Sequence, residues 1–169
     1  PAQAQGRGAV ELGLDGGIGL LMYDDIETIF GSFDPDNIVT IGLPVQSFRV
    51  GFYLSDQVEL EPSLSLILLS GGGDTIHQLG LGTDLLIHFG SAPRGTAPFA
   101  SFGMGILNAD AGSGGSTQVH VNGGFGVKIP TGDRSAFRLQ GVVQRDFEND
   151  DLFGAWQVGA RFGFSFFTR

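Results

Sequence analysis

The sequence has no cysteine, which excludes a disulfide framework, a thiolate metal site and a cysteine nucleophile. It has no run of about 20 apolar residues, which excludes a membrane-spanning helix. Cations are scarce. Nine Lys and Arg stand against eighteen Asp and Glu, a formal net charge of −9, and that balance argues against a nucleic-acid partner. One Trp and two Tyr leave little material for an interfacial belt other than the fifteen Phe. Histidine is limited to His77, His88 and His120. What is plentiful is glycine, 29 residues without a collagen period, in a 169-residue chain of one-domain size.

The stretch GAWQVGARFGFSFF, residues 154–167, shows how the chain is patterned. Trp156, Val158, Ala160, Phe162, Phe164 and Phe166 share one parity; Gln157, Gly159, Arg161, Gly163 and Ser165 share the other. A strand points alternate side chains to opposite faces, so one face is bulky and apolar and the other small or polar. A barrel in lipid needs that arrangement, with apolar residues outside and a polar lumen. Its strands need only about 9–11 residues, so the lack of an apolar helix does not count against it.

The same alternation marks seven earlier stretches: residues 9–23, a second ending at 48–54, 58–69, 76–89, 98–107, 117–129 and 136–145. The second has an unclear start, because Gly42 and Pro44 interrupt residues 38–45. Pro62 predicts a bulge or local break in the third. Residues 55–57 read as a tight turn, and 70–75, 90–97, 108–116 and 130–135 as loops or turns. Eight strands with mostly short connections predict an all-β, eight-stranded antiparallel up-and-down transmembrane β-barrel, closed because an open sheet would aggregate through its edges. Residues 9–167 form this single domain. Ala2-Gln3-Ala4 has the small-x-small form of a signal-peptidase site, so residues 1–8 are expected to be the tail left after signal-peptide removal. A water-soluble, lipocalin-like barrel is the rival at the level of fold; it would turn the bulky residues inward.

Charge is sorted by rim. The connections after strands one, three, five and seven carry Asp24, Asp25, Glu27, Asp34, Asp36, Asp74, Asp110, Asp146, Glu148, Asp150 and Asp151, eleven of the eighteen acids, with no Lys or Arg. The other connections are short and balanced. Long external loops and short periplasmic turns are the rule for outer-membrane barrels, so the acidic rim is expected outside and the termini in the periplasm. The lumen parity collects Glu11, Asp15, Arg49, Glu59, Glu61, Asp84, Lys128, Arg138 and Arg161. A narrow lumen requires such charges to pair. An ion-pair cluster is expected at the periplasmic end, joining Glu59 or Glu61 to Arg138 or Lys128. An eight-stranded barrel is just wide enough to be filled by side chains, which favours a plugged interior.

The segments VELGLDGGIGLLMY (10–23), FRVGFYLSDQVELE (48–61), PFASFGMGI (98–106), GGFGVKIPTGDRSAFR (123–138) and the aromatic last strand together resemble the small eight-stranded bacterial outer-membrane barrels, the OmpA/OmpX-like barrel domains. The resemblance implies insertion into a bacterial outer membrane and contact with its lipids and lipopolysaccharide.

Some barrels of the kind this sequence resembles modify lipid A, which requires a catalytic residue. His77 lies near Ser70 and Asp74, but it is followed by Gln78 and Leu79 instead of the His-x-Ser of the deacylases it would resemble. His120 and Asn122 read as lumen hydrogen-bonding groups. The acidic loops lack the ligand spacing of a dedicated calcium site, and Gly71-Gly72-Gly73 is not followed by the Lys and helix of a phosphate loop. The expectation is therefore a non-enzymatic barrel without cofactor. It is structural, or it presents the acidic external loops (Asp24, Asp25, Glu27, Asp34, Asp36, Glu148, Asp150, Asp151) to a protein partner. A narrow channel for small solutes or ions is the alternative, and a lipid A-modifying enzyme the third reading.

Overall fold

The computed structural model describes residues 7–23, 38–41, 47–71, 74–89, 96–110, 115–147 and 154–168, and the side chains of these apart from 20–23, 38–41, 67–71, 74–78, 109–110 and 115. Nine strand segments follow one another: β1 (Val10–Tyr23), β2 (Ile38–Ile41), β3 (Ser47–Tyr53), β4 (Val58–Gly71), β5 (Asp74–His88), β6 (Ala97–Asp110), β7 (Gly115–Gly132), β8 (Ser135–Asp146) and β9 (Ala155–Phe167). Each of β3 to β8 pairs antiparallel with its successor, and β9 returns to β1 through thirteen residue pairs, Glu11↔Phe167 to Tyr23↔Ala155. β2 and β3 both pair with the same edge of β1, at Ile18–Leu21 and Val10–Asp15 respectively. They are two pieces of one wall position, so the sheet is a closed eight-stranded barrel. Closure gives every described strand except the short β2, which pairs with β1 alone, at least two neighbours, so the barrel has no long edge to aggregate.

Alternation sets the two faces. Leu12, Leu14, Ile18, Phe52, Leu81 and Phe164 stand exposed on the outer wall, and Phe125 reaches 74% exposure. Glu11, Glu59, Glu61, Lys128 and Arg138 are buried inside. This is the reverse of a water-soluble barrel and disposes of the lipocalin-like rival: apolar area left in water would cost about 25 cal/mol per Å², whereas lipid accepts it.

The strands run further than alternation alone suggests. β4 and β5 remain paired up to Gly71↔Asp74, so the expected loop at 70–75 shrinks to 72–73. β6 and β7 likewise stay paired to Asp110↔Gly115. Asp74, Asp110 and Asp146 are therefore strand-end residues, not loop residues. Ladder hydrogen bonds hold glycine-rich segments straight even where side chains give no pattern. Pro62 causes a break and no bulge. The β3–β4 ladder is interrupted between Arg49↔Ser63 and Phe52↔Leu60 with one register on both sides, while β4–β5 passes through Pro62↔Thr83 unbroken. The ladder loses two residue pairs around the proline, which has no donor, and the register does not shift. The bulge lies elsewhere, between Pro130 and Gly132 of β7.

At one rim the described connections, 54–57 and 133–134, are tight. Leu54 and Ser55 amides donate to the Val58 carbonyl at 2.9 and 3.2 Å, and Ser55 Oγ accepts from the Gln57 and Val58 amides. Both ends of the barrel's chain lie at this rim. The eight acids expected to form the external loops (Asp24, Asp25, Glu27, Asp34, Asp36, Glu148, Asp150 and Asp151) fall outside the described residues.

Candidate functional site

All nine charged side chains on the lumen parity face inward, and seven of them form one network near the tight-turn rim. Arg49 on β3 is its hub. Its Nε donates to Asp15 Oδ2 at 2.7 Å, its Nη1 to Glu11 Oε1 at 2.5 Å and Glu61 Oε1 at 2.9 Å, and its Nη2 to Ser165 Oγ at 2.7 Å. Lys128 on β7 places Nζ 2.6 Å from Glu11, 2.8 Å from Glu59 and 3.3 Å from Glu61. Arg138 on β8 donates to Glu61 Oε2 and to Gln140 Oε1, both at 2.6 Å. β8 stands four wall positions from β4, so the Arg138–Glu61 bond spans a full diameter of the barrel.

The wall geometry explains why the bonds cross the lumen. Lys128 and Arg138 are direct partners across the β7–β8 ladder, and Glu61 and Asp84 across β4–β5. Like charges so placed repel. Each is relieved only by a partner from another part of the wall, so the ion pairs hold distant strands together. Gly13 and Gly51 make room for the crossing. A Cβ on Gly13 would land on the Arg49 guanidinium, and one on Gly51 would land on the Glu59 carboxylate.

Beneath the network lies an aromatic floor. Tyr53 stacks on His88 with centroids 5.5 Å apart; Phe99 lies 5.9 Å from His88, and Phe167 6.5 Å from Tyr53. His88 Nε2 sits 2.8 Å from Glu59 Oε2, and Tyr53 Oη donates to Glu11 at 3.1 Å. The rings also face cations: Lys128 Nζ lies 5.6 Å from the Tyr53 centroid, and the Arg138 guanidinium 4.9 Å from that of Phe99. Leu86, Ala97 and Ala136 are buried as well. Sequence parity already puts Tyr53 and His88 inside. Phe99, Leu86 and Phe167 share the inward parity of their strands but carry no polarity to mark it.

The remaining lumen, toward the other rim, is loosely built. Arg161 Nη1 lies 3.9 Å from Asp84 Oδ2, and its side chain is one-third exposed. Asp146, which the sequence places in a loop, is buried and accepts from Gln144 and Gln157, each at 2.7 Å. A cavity of about 190 Å³ opens here, lined in part by Asp15, Asp84, His120, Asn122 and Arg161 and by glycines of β1, β5 and β9. Glu11, Glu59 and Glu61 come close enough to hold a metal ion, but the Lys128 ammonium occupies the space between them. His77 pairs in register with Asp110, and its side chain lies outside the described set.

No protein-family model matches the sequence, and no curated protein matches it. Solved structures do. The N-terminal β-barrel domain of Pseudomonas aeruginosa OprF is 22% identical, with a TM-score of 0.55, over 96% of this chain and all of that one. Neisserial surface protein A, NspA, is 9% identical with a TM-score of 0.70, over 95% of this chain and 99% of its own. At these identities the likeness is one of fold. By fold, the chain is a small eight-stranded antiparallel barrel resembling those of bacterial outer membranes.

Proposed function

We propose that the protein is an integral, non-enzymatic barrel of a bacterial outer membrane, with both termini in the periplasm and a lumen plugged by ion pairs. The observation that carries this is the inversion of the wall: bulky apolar side chains outside, and Glu11, Glu59, Glu61, Lys128 and Arg138 at 1% exposure or less inside. The exposed face is far larger than a soluble monomer tolerates. Outer-membrane lipids and lipopolysaccharide are its surroundings, and the acidic long connections are presented outward, where a protein partner would meet them. The Arg138–Glu61 bond across the lumen and the aromatic floor beneath it support a blocked passage. A non-enzymatic role rests on the lumen charges being spent on one another and not aimed at a shared reacting position.

Two measurements test the proposal. In detergent, folded protein should migrate differently on a gel before and after boiling; a chain that is soluble without detergent and migrates identically overturns the membrane assignment. In planar bilayers the purified barrel should show no steady conductance. A stable open level would replace the plugged reading with the narrow channel.

A further inference from the structure

Among the described strands, one Lys or Arg faces outward. Arg49, Lys128, Arg138 and Arg161 point into the lumen, and Arg7, Arg94, Arg134 and Arg169 lie outside the strands. The ninth base is Arg145, near the end of β8. Its chain neighbours Gln144 and Asp146 are buried inside, whereas Val143 and Phe147, which share its parity, are 44% and 46% exposed. Arg145 therefore belongs to the outer wall. Its guanidinium lies 5.2 Å from the ring centroid of Trp156, its ladder partner on β9. Trp156 is the single Trp of the sequence and is itself exposed on the outer wall.

Height along the wall explains why a base is tolerated there. On β8 the outward run Phe137, Leu139, Gly141, Val143 gives way to polarity at Arg145; the outward run ends at Asn108 on β6 and at Thr117 on β7. Asn108 Nδ2 donates to Thr117 Oγ1 at 3.0 Å, an exposed bond. All three positions lie toward the strand ends remote from the tight turns, so they mark one edge of the apolar band. An arginine facing lipid is costly at the bilayer midplane and nearly without cost at its edge. Trp concentrates at the same level. Lipid phosphates lie there too. A guanidinium offers two parallel N–H donors to a phosphate, which an ammonium cannot do, and stacking on an indole holds its plane in place. The connections of this rim add acids and no Lys or Arg, so charge complementarity for a phosphate on the outside of the barrel rests on Arg145.

We propose that Arg145, stacked on Trp156, anchors a phosphate group of an outer-leaflet glycolipid. The guanidinium donates to the phosphate oxygens, and the lipid's chains lie along Val143 and Val158, which are partners across the β8–β9 ladder below it. The inference rests on the outer-membrane reading above and adds to it one residue and one headgroup.

The test uses the folded full chain in a neutral detergent with EDTA present, titrated with diphosphoryl lipid A. Emission from the single Trp is one readout, and lipid phosphorus retained by the protein after gel filtration is the second. Saturable binding is expected for diphosphoryl lipid A and not for the same lipid stripped of its phosphates. Arg145→Gln should weaken it about tenfold, the worth of one charge-assisted hydrogen bond. Arg145 is on the outer wall at a strand end, so the variant should keep the gel shift of the folded barrel on boiling. A variant that loses this shift is replaced by Arg145→Lys, which keeps the charge without the planar fork and should bind more weakly than wild type. The proposal is overturned if the phosphate-free lipid binds equally well, or if the folded variant binds like wild type. It is also overturned if binding needs a divalent cation, which would assign it to the acidic rim, or if excess inorganic phosphate displaces the lipid, which would make the site one for free phosphate. A wild-type chain that is soluble without detergent and shows no gel shift would instead sink the membrane reading itself.

Discussion

Toward the tight turns, Arg138, Lys128, Glu59 and Glu61 are 1% exposed or less and bonded at 2.6–3.3 Å. Toward the long connections, Arg161 is one-third exposed, and its carboxylate lies 3.9 Å away. Both halves obey one alternation and use the same residue types. They differ in how many long side chains meet at one level. In the first half, Arg49, Lys128 and Arg138 converge on Glu11, Glu59 and Glu61 from β1, β3, β4, β7 and β8. In the second, Gly17, Gly19, Gly80, Gly82 and Gly159 line the wall, and the space between is left as cavity. Reach, more than polarity, separates a filled lumen from an open one.

Removing a charge from the filled half should have the largest effect. Glu61→Ala takes the carboxylate partner from Arg138 and one of several from Arg49 and Lys128, which keep Glu11, and breaking such a buried pair costs about 3–5 kcal/mol. Urea unfolding of the barrel in detergent measures it. Arg138→Ala should act in the same direction, and an unchanged midpoint in both variants would mean the network contributes nothing. Glycine comes next. Gly13→Ala drives a methyl into the Arg49 guanidinium and should cost about 1–3 kcal/mol by overpacking. Gly82→Ala, beside the cavity, meets Ser63 Oγ at 3.3 Å, a hydroxyl free to turn, and should cost less than about 1 kcal/mol. Equal losses would erase the distinction between the halves. The smallest effect is expected for Arg161→Gln, about 0–1 kcal/mol, the ordinary range for a solvated pair. A larger loss would show that the open half is held as firmly as the closed one.

Much of this was legible in the chain. Alternation separates Leu12 and Leu14 from Glu11 and Asp15, and it places Arg138 and Glu61 inside before any coordinates exist. The strand ends were less visible. Gly71↔Asp74 and Asp110↔Gly115 continue their ladders through residues with no apolar signal, because backbone hydrogen bonds extend a strand regardless of side chain. Arg49 illustrates the other gap. Its inward parity is plain, yet its role as hub is not, since its partners Glu11, Asp15, Glu61 and Ser165 lie 38, 34, 12 and 116 residues away. Phe99, Leu86 and Phe167 went unmarked because an inward apolar residue looks, in sequence, like an outward one that has slipped out of phase.

Local stereochemistry suffices for the first kind of knowledge. A strand has a side-chain period of two, so order along the chain dictates which face each group takes and hence that this sheet is greasy outside and charged within. Partnership across the lumen is a different matter. It depends on the register accumulated around eight wall positions when β9 meets β1, and only that closure brings Arg138 opposite Glu61.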